Sequence, residues 1–174
     1  MEALKLVMPD ENMIKEIRAY KQAMLDAGDS MDGTGSLCRL DAPAWLVQCA
    51  LIANPETVPE GRVQATQFVC VRERDSRIVG MLDVRHRLND FLRDFGGNIG
   101  YSVRPDERRK GYASWMLAHA LSYCREIGLE RVMISCLVDN EASRRTILKN
   151  GGVYDSTVHE PQENVDLQRY WITL

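Results

Sequence analysis

The run Ile99-Gly100-Tyr101-Ser102-Val103-Arg104-Pro105-Asp106-Glu107-Arg108-Arg109-Lys110-Gly111-Tyr112-Ala113 holds the residue types and spacing of a phosphate site. A strand-like stretch passes into a tight basic loop, and the loop opens a patterned helix. Backbone N–H groups in the first turn of a helix have no intrahelical acceptor, and the positive end of the macrodipole lies there. Phosphate is a natural ligand of such a place. Gly111 lets the backbone approach closely, Ala113 keeps the first turn small, and Arg108, Arg109 and Lys110 add positive charge. A solvated basic turn is the plainer explanation; the flanking strand and helix favour the phosphate.

Two further stretches could do chemistry. Asp83-Val84-Arg85-His86-Arg87-Leu88-Asn89 ends an expected strand with a dense set of polar groups, either an exposed charged rim or a ligand-binding or general-base site with Asp83 and His86 as candidates. Asp139-Asn140-Glu141-Ala142-Ser143 opens a helix that Asn140 or Asp139 can cap. Cysteines 38, 49, 70, 124 and 136 form no CxxC pair and read as buried reduced thiols, and the three histidines lack zinc-ligand spacing, so no metal site is expected. His119 reads as a surface or packing residue.

These residues need a scaffold, and 174 residues suit one domain spanning 1–174 with a proper core. A first strand is expected over 3–8, closed by Pro9, with Asp10 as N-cap of a helix carrying Met13, Ile14, Ile17, Tyr20, Met24 and Leu25. A polar loop over 28–35 precedes a helix over 42–53 and a Pro/Gly-marked loop over 54–61. Residues 66–73 and 77–87 read as a hairpin turning at Asp75-Ser76, and 88–97 as a short helix or loop. A strand over 98–103 leads into the basic loop. The next helix places Ala113, Met116, Leu117, Ala120, Leu121, Cys124 and Ile127 on one apolar stripe, and Gly128 ends it. A strand over 132–138, a helix to Lys149 and strands over 153–158 and 165–173 complete the order. Along the last strand Tyr170 and Ile172 share a face, opposite Arg169 and Trp171, with core packing favoured over an acceptor-pocket wall. This mixture predicts an α/β (α+β) fold with helices on a mostly antiparallel twisted sheet.

Arg108, Gly111 and Ala113, after the lead-in of Val103 and Pro105, resemble the coenzyme A signature of the GNAT superfamily of N-acetyltransferases. The element order resembles that fold across nearly the whole length. Arg-His-Arg-Leu-Asn at 85–89, the lead-in at 96–105 and Asn-Gly-Gly at 150–152 are similar to a subgroup described as predicted acetyltransferases. The resemblance implies a parallel central pair, 98–103 and 131–138, splaying apart to admit acetyl-CoA as cosubstrate. It implies cofactor contacts at Tyr101, Val103, Arg108, Arg109, Lys110, Gly111, Tyr112, Ala113, Ser114, Asn140 and Ser143, largely through backbone amides at 108–114. A strand amide would polarise the thioester carbonyl, a form of oxyanion stabilisation. Where many relatives carry a Tyr that protonates the departing thiolate, this chain has Ile147, so Tyr154, Ser143, Tyr101 or a water would substitute. An acceptor amine with a pKa of about 10.4 needs a base; Asp83 and His86 are the candidates.

The expected function is acetyl transfer to a small-molecule or peptide amine by direct attack, no Cys or Ser lying beside a base in a nucleophile motif. A non-catalytic coenzyme A or acyl-CoA module is the alternative, and a nucleotide or general phosphate binder a third. A net charge of −3 argues against nucleic acid as main partner. No apolar stretch reaches membrane-spanning length, and the first residues lack a signal peptide's pattern, so a cytoplasmic protein is expected. The resemblance leaves a homodimer open, and the acceptor's identity lies outside any motif.

Overall fold

The computed structural model describes residues 2–174. Its elements are β1 (Leu4–Val7), α1 (Ile14–Asp26), α2 (Ala42–Ala53), β2 (Ala65–Arg72), β3 (Arg77–Arg85), β4 (Ile99–Val103), α3 (Tyr112–Glu126), β5 (Arg131–Leu137), α4 (Glu141–Lys149), β6 (Val153–Glu160) and β7 (Val165–Thr173). Asp10 caps a short 3₁₀ turn, Glu11–Met13, by accepting from Asn12 N–H, rather than capping α1 itself. Pro105–Glu107 forms a second such turn, which the sequence pattern did not specify, and Leu92–Gly96 a single π turn inside the short helix or loop expected over 88–97.

The strands form two antiparallel sheets, β1-β2-β3-β4 and β5-β7-β6. The two strands expected as a central pair, β4 and β5, belong to different sheets and are joined at their base. Asn98 N–H donates to Met133 O at 2.7 Å, and Met133 N–H donates to Asn98 Oδ1 at 2.9 Å. Gly97 makes this close approach workable, since its φ is +69° and a Cβ there would lie 2.4 Å from Met133 O. Asn98 is buried and also donates from Nδ2 to Arg85 O at 3.1 Å, which ties β3 into the same knot.

Strand alternation sorts the first sheet's side chains onto two faces. Phe68 on β2 and Leu82 and Val84 on β3 pack against Met116, Leu117, Ala120 and Cys124 of α3. Val69 and Met81, one residue out of phase, pack against Ile17, Tyr20 and Met24 of α1 and Trp45 of α2. The sheet is thus helix-covered on both sides. Tyr170 and Ile172 of β7 are buried in the α3-side core, as their shared face predicts, while Trp171 lies outside it under Arg131, whose guanidinium carbon is 4.3 Å from the ring centre.

Candidate active site

The loop between β4 and α3 is shaped by backbone conformation before charge. Arg109 (φ +63°) and Gly111 (φ +83°) are both left-handed, with Lys110 between them. Alternation of this kind turns successive N–H groups toward one concavity suited to an anion. The first helical bond runs from Trp115 N–H to Gly111 O at 3.1 Å, so the amides of Tyr112, Ala113 and Ser114 precede the helical ladder. At Gly111 a Cβ would meet nothing within 4 Å. The glycine therefore answers a dihedral requirement and leaves the space beside its backbone open.

The basic side chains are largely engaged with the protein. Arg108 donates from Nε to Val103 O at 3.1 Å and pairs with Asp29. Lys110 pairs with Glu107 at 2.6 Å. Glu107 is buried and also receives Arg72 at 2.9 Å and Arg77 at 3.2 Å, which clamps the loop to β2 and β3. Arg109 has no ion pair among the described residues. Tyr112 is buried with its hydroxyl on Glu2, and Ser114 Oγ accepts from Asn150 Nδ2 at 3.1 Å. These two side chains hold the helix start in place and leave their amides for a ligand.

Beyond the Asn98–Met133 junction, Tyr101 reaches from β4 toward α4. Its hydroxyl lies 2.8 Å from Ser143 Oγ, and burial pushes the phenol well above its ordinary pKa. Asn140 caps α4 by accepting from Ser143 N–H at 3.0 Å. Tyr101, Asn140 and Ser143 are therefore one connected group. Ile147 is fully buried in the core.

Asp83 faces the other side of the sheet. It lies in register between Gln67 on β2 and Gly100 on β4, and a Cβ on Gly100 would be 2.8 Å from Asp83 Oδ1. Oδ1 is buried without a hydrogen-bond partner, while Oδ2 accepts Arg85 Nε at 3.0 Å. Asp83 lines a cavity of about 450 Å³ under α2, with Trp45, Gln48, Cys49 and Ile52 along one wall. Gly33 packs directly on β4: a Cβ there would lie 2.3 Å from Gly100 O. Next to it Asp32 is exposed and accepts from Ser30 Oγ at 3.0 Å; its carboxyl is raised, by the protein nearby and by the charges of Asp29 and Asp83.

His86 is directed away from this cavity. Its Nε2 lies 2.9 Å from Thr66 Oγ1, which is itself 2.8 Å from the hydroxyl of Tyr123 on α3, and burial lowers the imidazole pKa. Asp83 and His86 thus do not form one acid–base pair. Tyr154 is exposed on β6, bonded to Thr157 Oγ1 at 2.9 Å and packed edge-on against Tyr170. Cys38 is exposed, unlike the buried Cys70, Cys124 and Cys136. Sequence reading missed Asp32, Asn98 and Glu107 as positioning groups. Only Glu107 carried a signal, as an acid inside a basic run.

A family model described as an acetyltransferase (GNAT) domain matches residues 31–153. A curated relative, the uncharacterized N-acetyltransferase YoaA of Bacillus subtilis (strain 168), is 41% identical over 54 residues, which is 30% of this chain and 30% of the relative. Among solved structures, the ribosomal-protein-S5-alanine acetyltransferase from Vibrio fischeri superposes with a TM-score of 0.78 at 14% identity, covering 99% of this chain and 94% of that one. The microcin C7 self-immunity acetyltransferase MccE, in complex with acetyl-CoA and AMP, gives 0.74 at 17% identity, covering 98% and 92%. The fold of this chain is the fold of these proteins.

Proposed function

The chain belongs to the GNAT acetyltransferase family, and on that premise we propose that it transfers an acetyl group from acetyl-CoA to an amine by direct attack. The single observation carrying this reading is the left-handed Arg109/Gly111 loop at the start of α3, which follows the far end of β4 from the Asn98–Met133 junction of the two sheets. Its convergent amides fit a diphosphate. The MccE complex with acetyl-CoA adds support by analogy of fold.

Acetyl-CoA, when bound, supplies an activated acyl group as its thioester. The amides of Tyr112, Ala113 and Ser114 hold the diphosphate, and the β4 edge from Gly100 to Val103 orients the arm. Asp83, on the strand next to Gly100, receives the amine, and Asp32 accepts the proton it sheds. Its carboxyl is raised from its ordinary value, which favours Asp32 as proton acceptor over an unshifted carboxylate. A C–N bond forms, the C–S bond breaks, and the thiolate takes its proton from Tyr101, whose hydroxyl Ser143 orients. Tyr101 replaces the donor that Ile147 cannot be; Tyr154, exposed and satisfied by Thr157, is the weaker candidate.

The test is amine-dependent release of free thiol from acetyl-CoA across a broad panel of amines. Turnover abolished by Gly111→Val and reduced by Asp32→Asn supports the reading. Acetyl-CoA binding with no thiol release on any amine favours the coenzyme A module instead.

A further inference from the structure

The cavity under α2 has a charge pattern that selects among amines. Its lining includes Arg39, Arg62 and Arg85 against a single carboxylate, Asp83. Arg85 is committed: it pairs with Asp83 through Nε and donates from Nη1 to Gly96 O at 3.0 Å and Gly97 O at 3.2 Å. Arg39 and Arg62 have no ion pair or side-chain hydrogen bond among the described residues. Asp83 is buried, and its Oδ1 has no hydrogen-bond partner among the described residues. A buried carboxylate oxygen without a partner is uncommon and calls for an explanation.

The lining carries both signs on different segments. Asp83 lies on β3 beside Gly100 of β4, while Arg39, before α2, and Arg62, before β2, bring two unpaired guanidiniums. Trp45, Ile52, Val63, Phe91 and Leu92 add apolar surface. A volume of about 450 Å³ is within the range of small-molecule sites. An ammonium is attracted to Asp83. A polycation would also bring charge against Arg39 and Arg62, and that like-charge contact disfavours it.

Resting on the acetyltransferase reading, we propose that this cavity is the acceptor site and that it takes a small amine bearing an anionic group, with Asp83 facing the amine and Arg39 and Arg62 the anion. Carboxylate and phosphate share the required chemistry. Arginine suits both, through paired N–H donors. Gln48, also in the lining, is available to a further polar atom of the acceptor.

The experiment compares matched amines with and without the anion: γ-aminobutyrate against butylamine, O-phosphoethanolamine against ethanolamine, and spermidine as polycation. Thiol release from acetyl-CoA gives kcat and KM, and calorimetry gives binding of each compound to the coenzyme A complex. The expected result is that an anionic member exceeds its neutral partner at least tenfold in kcat/KM, and that Arg39→Gln or Arg62→Gln removes this advantage through KM, with Arg18→Gln on α1 as unaffected control. Equal use of both members, or preference for spermidine, overturns the proposal while the transferase reading stands. Anionic amines that bind through Arg39 or Arg62 without turnover leave the acceptor class supported and remove the transferase reading. Absence of both binding and turnover removes both. The carboxylate and phosphate pairs show which anion is meant.

Discussion

Arg72 on β2 and Glu107 in the loop that opens α3 form a buried ion pair, Nη1 to Oε2 at 2.9 Å, each side chain 3% exposed. The pair joins the first sheet to the loop that holds the candidate diphosphate site. Asp75 completes it from the β2–β3 turn, accepting Arg72 at 2.7 Å, and that contact holds the Asp75 carboxyl down to about 2. The loop's position is therefore set from the sheet side, by a contact 35 residues apart in sequence.

Removing Glu107 takes from Arg72 its buried carboxylate partner, a charge that Asp75, half-exposed at the turn, compensates only in part. Glu107→Gln is expected to lower the unfolding free energy by about 3 kcal/mol, read as a lower urea midpoint with an unchanged denaturant slope. Acetyl-CoA affinity falls with it, because the amides at 112–114 lose their anchor. A variant with full stability and full affinity would remove Glu107 from the positioning role.

Gly111→Ala separates conformation from space. Since the added methyl group meets nothing within 4 Å, only the left-handed φ opposes it, a cost of roughly 1–2 kcal/mol. Gly111→Asn, a residue that tolerates this region better, is expected to fall between glycine and alanine in both midpoint and acetyl-CoA affinity.

Tyr101→Phe keeps the ring and removes the proton. The expected loss is on the order of 10²-fold in kcat, with acetyl-CoA affinity little changed. Burial keeps this phenol protonated above its usual range, so the wild-type rate shows no alkaline fall from Tyr101 below about pH 10. Tyr154→Phe is expected to leave kcat within a factor of about two, as an exposed side chain away from the reacting atoms.

His86 supplies a pH test of stability. Its folded pKa lies below the ordinary 6.5 because burial disfavours the imidazolium. The unfolded chain therefore binds the proton more readily, and stability falls as pH drops from about 6.5 through the lower folded value. His86→Gln is expected to flatten that acid loss in denaturation curves recorded from pH 7.5 to 5, while leaving kcat/KM at pH 7.5 close to wild type.

How far the sequence carried depends on the range of the interactions. The bounds of α2, Ala42–Ala53, follow from local chemistry: Asp41 accepts from Ala44 N–H at 3.1 Å, and Pro43 sits in the first turn. Asn140 and Ser143 come together for the same reason, one helical turn apart. Asp32 and Asn98 were not legible as site-builders. Each acquires its role from a partner far along the chain, Asp32 through the packing of Gly33 on Gly100, Asn98 through Met133. His86 misled because strand alternation puts it near the level of Asp83 yet off its face, and only α3, with Tyr123, reveals where the imidazole goes.

The central claim is that peptide nitrogens at the start of α3 hold a diphosphate and so place a thioester along β4. A calorimetric titration of the wild-type protein with acetyl-CoA tests it most directly. The account predicts saturable one-to-one binding that Gly111→Val eliminates. No heat of binding up to millimolar acetyl-CoA, from protein shown to be folded, would contradict it.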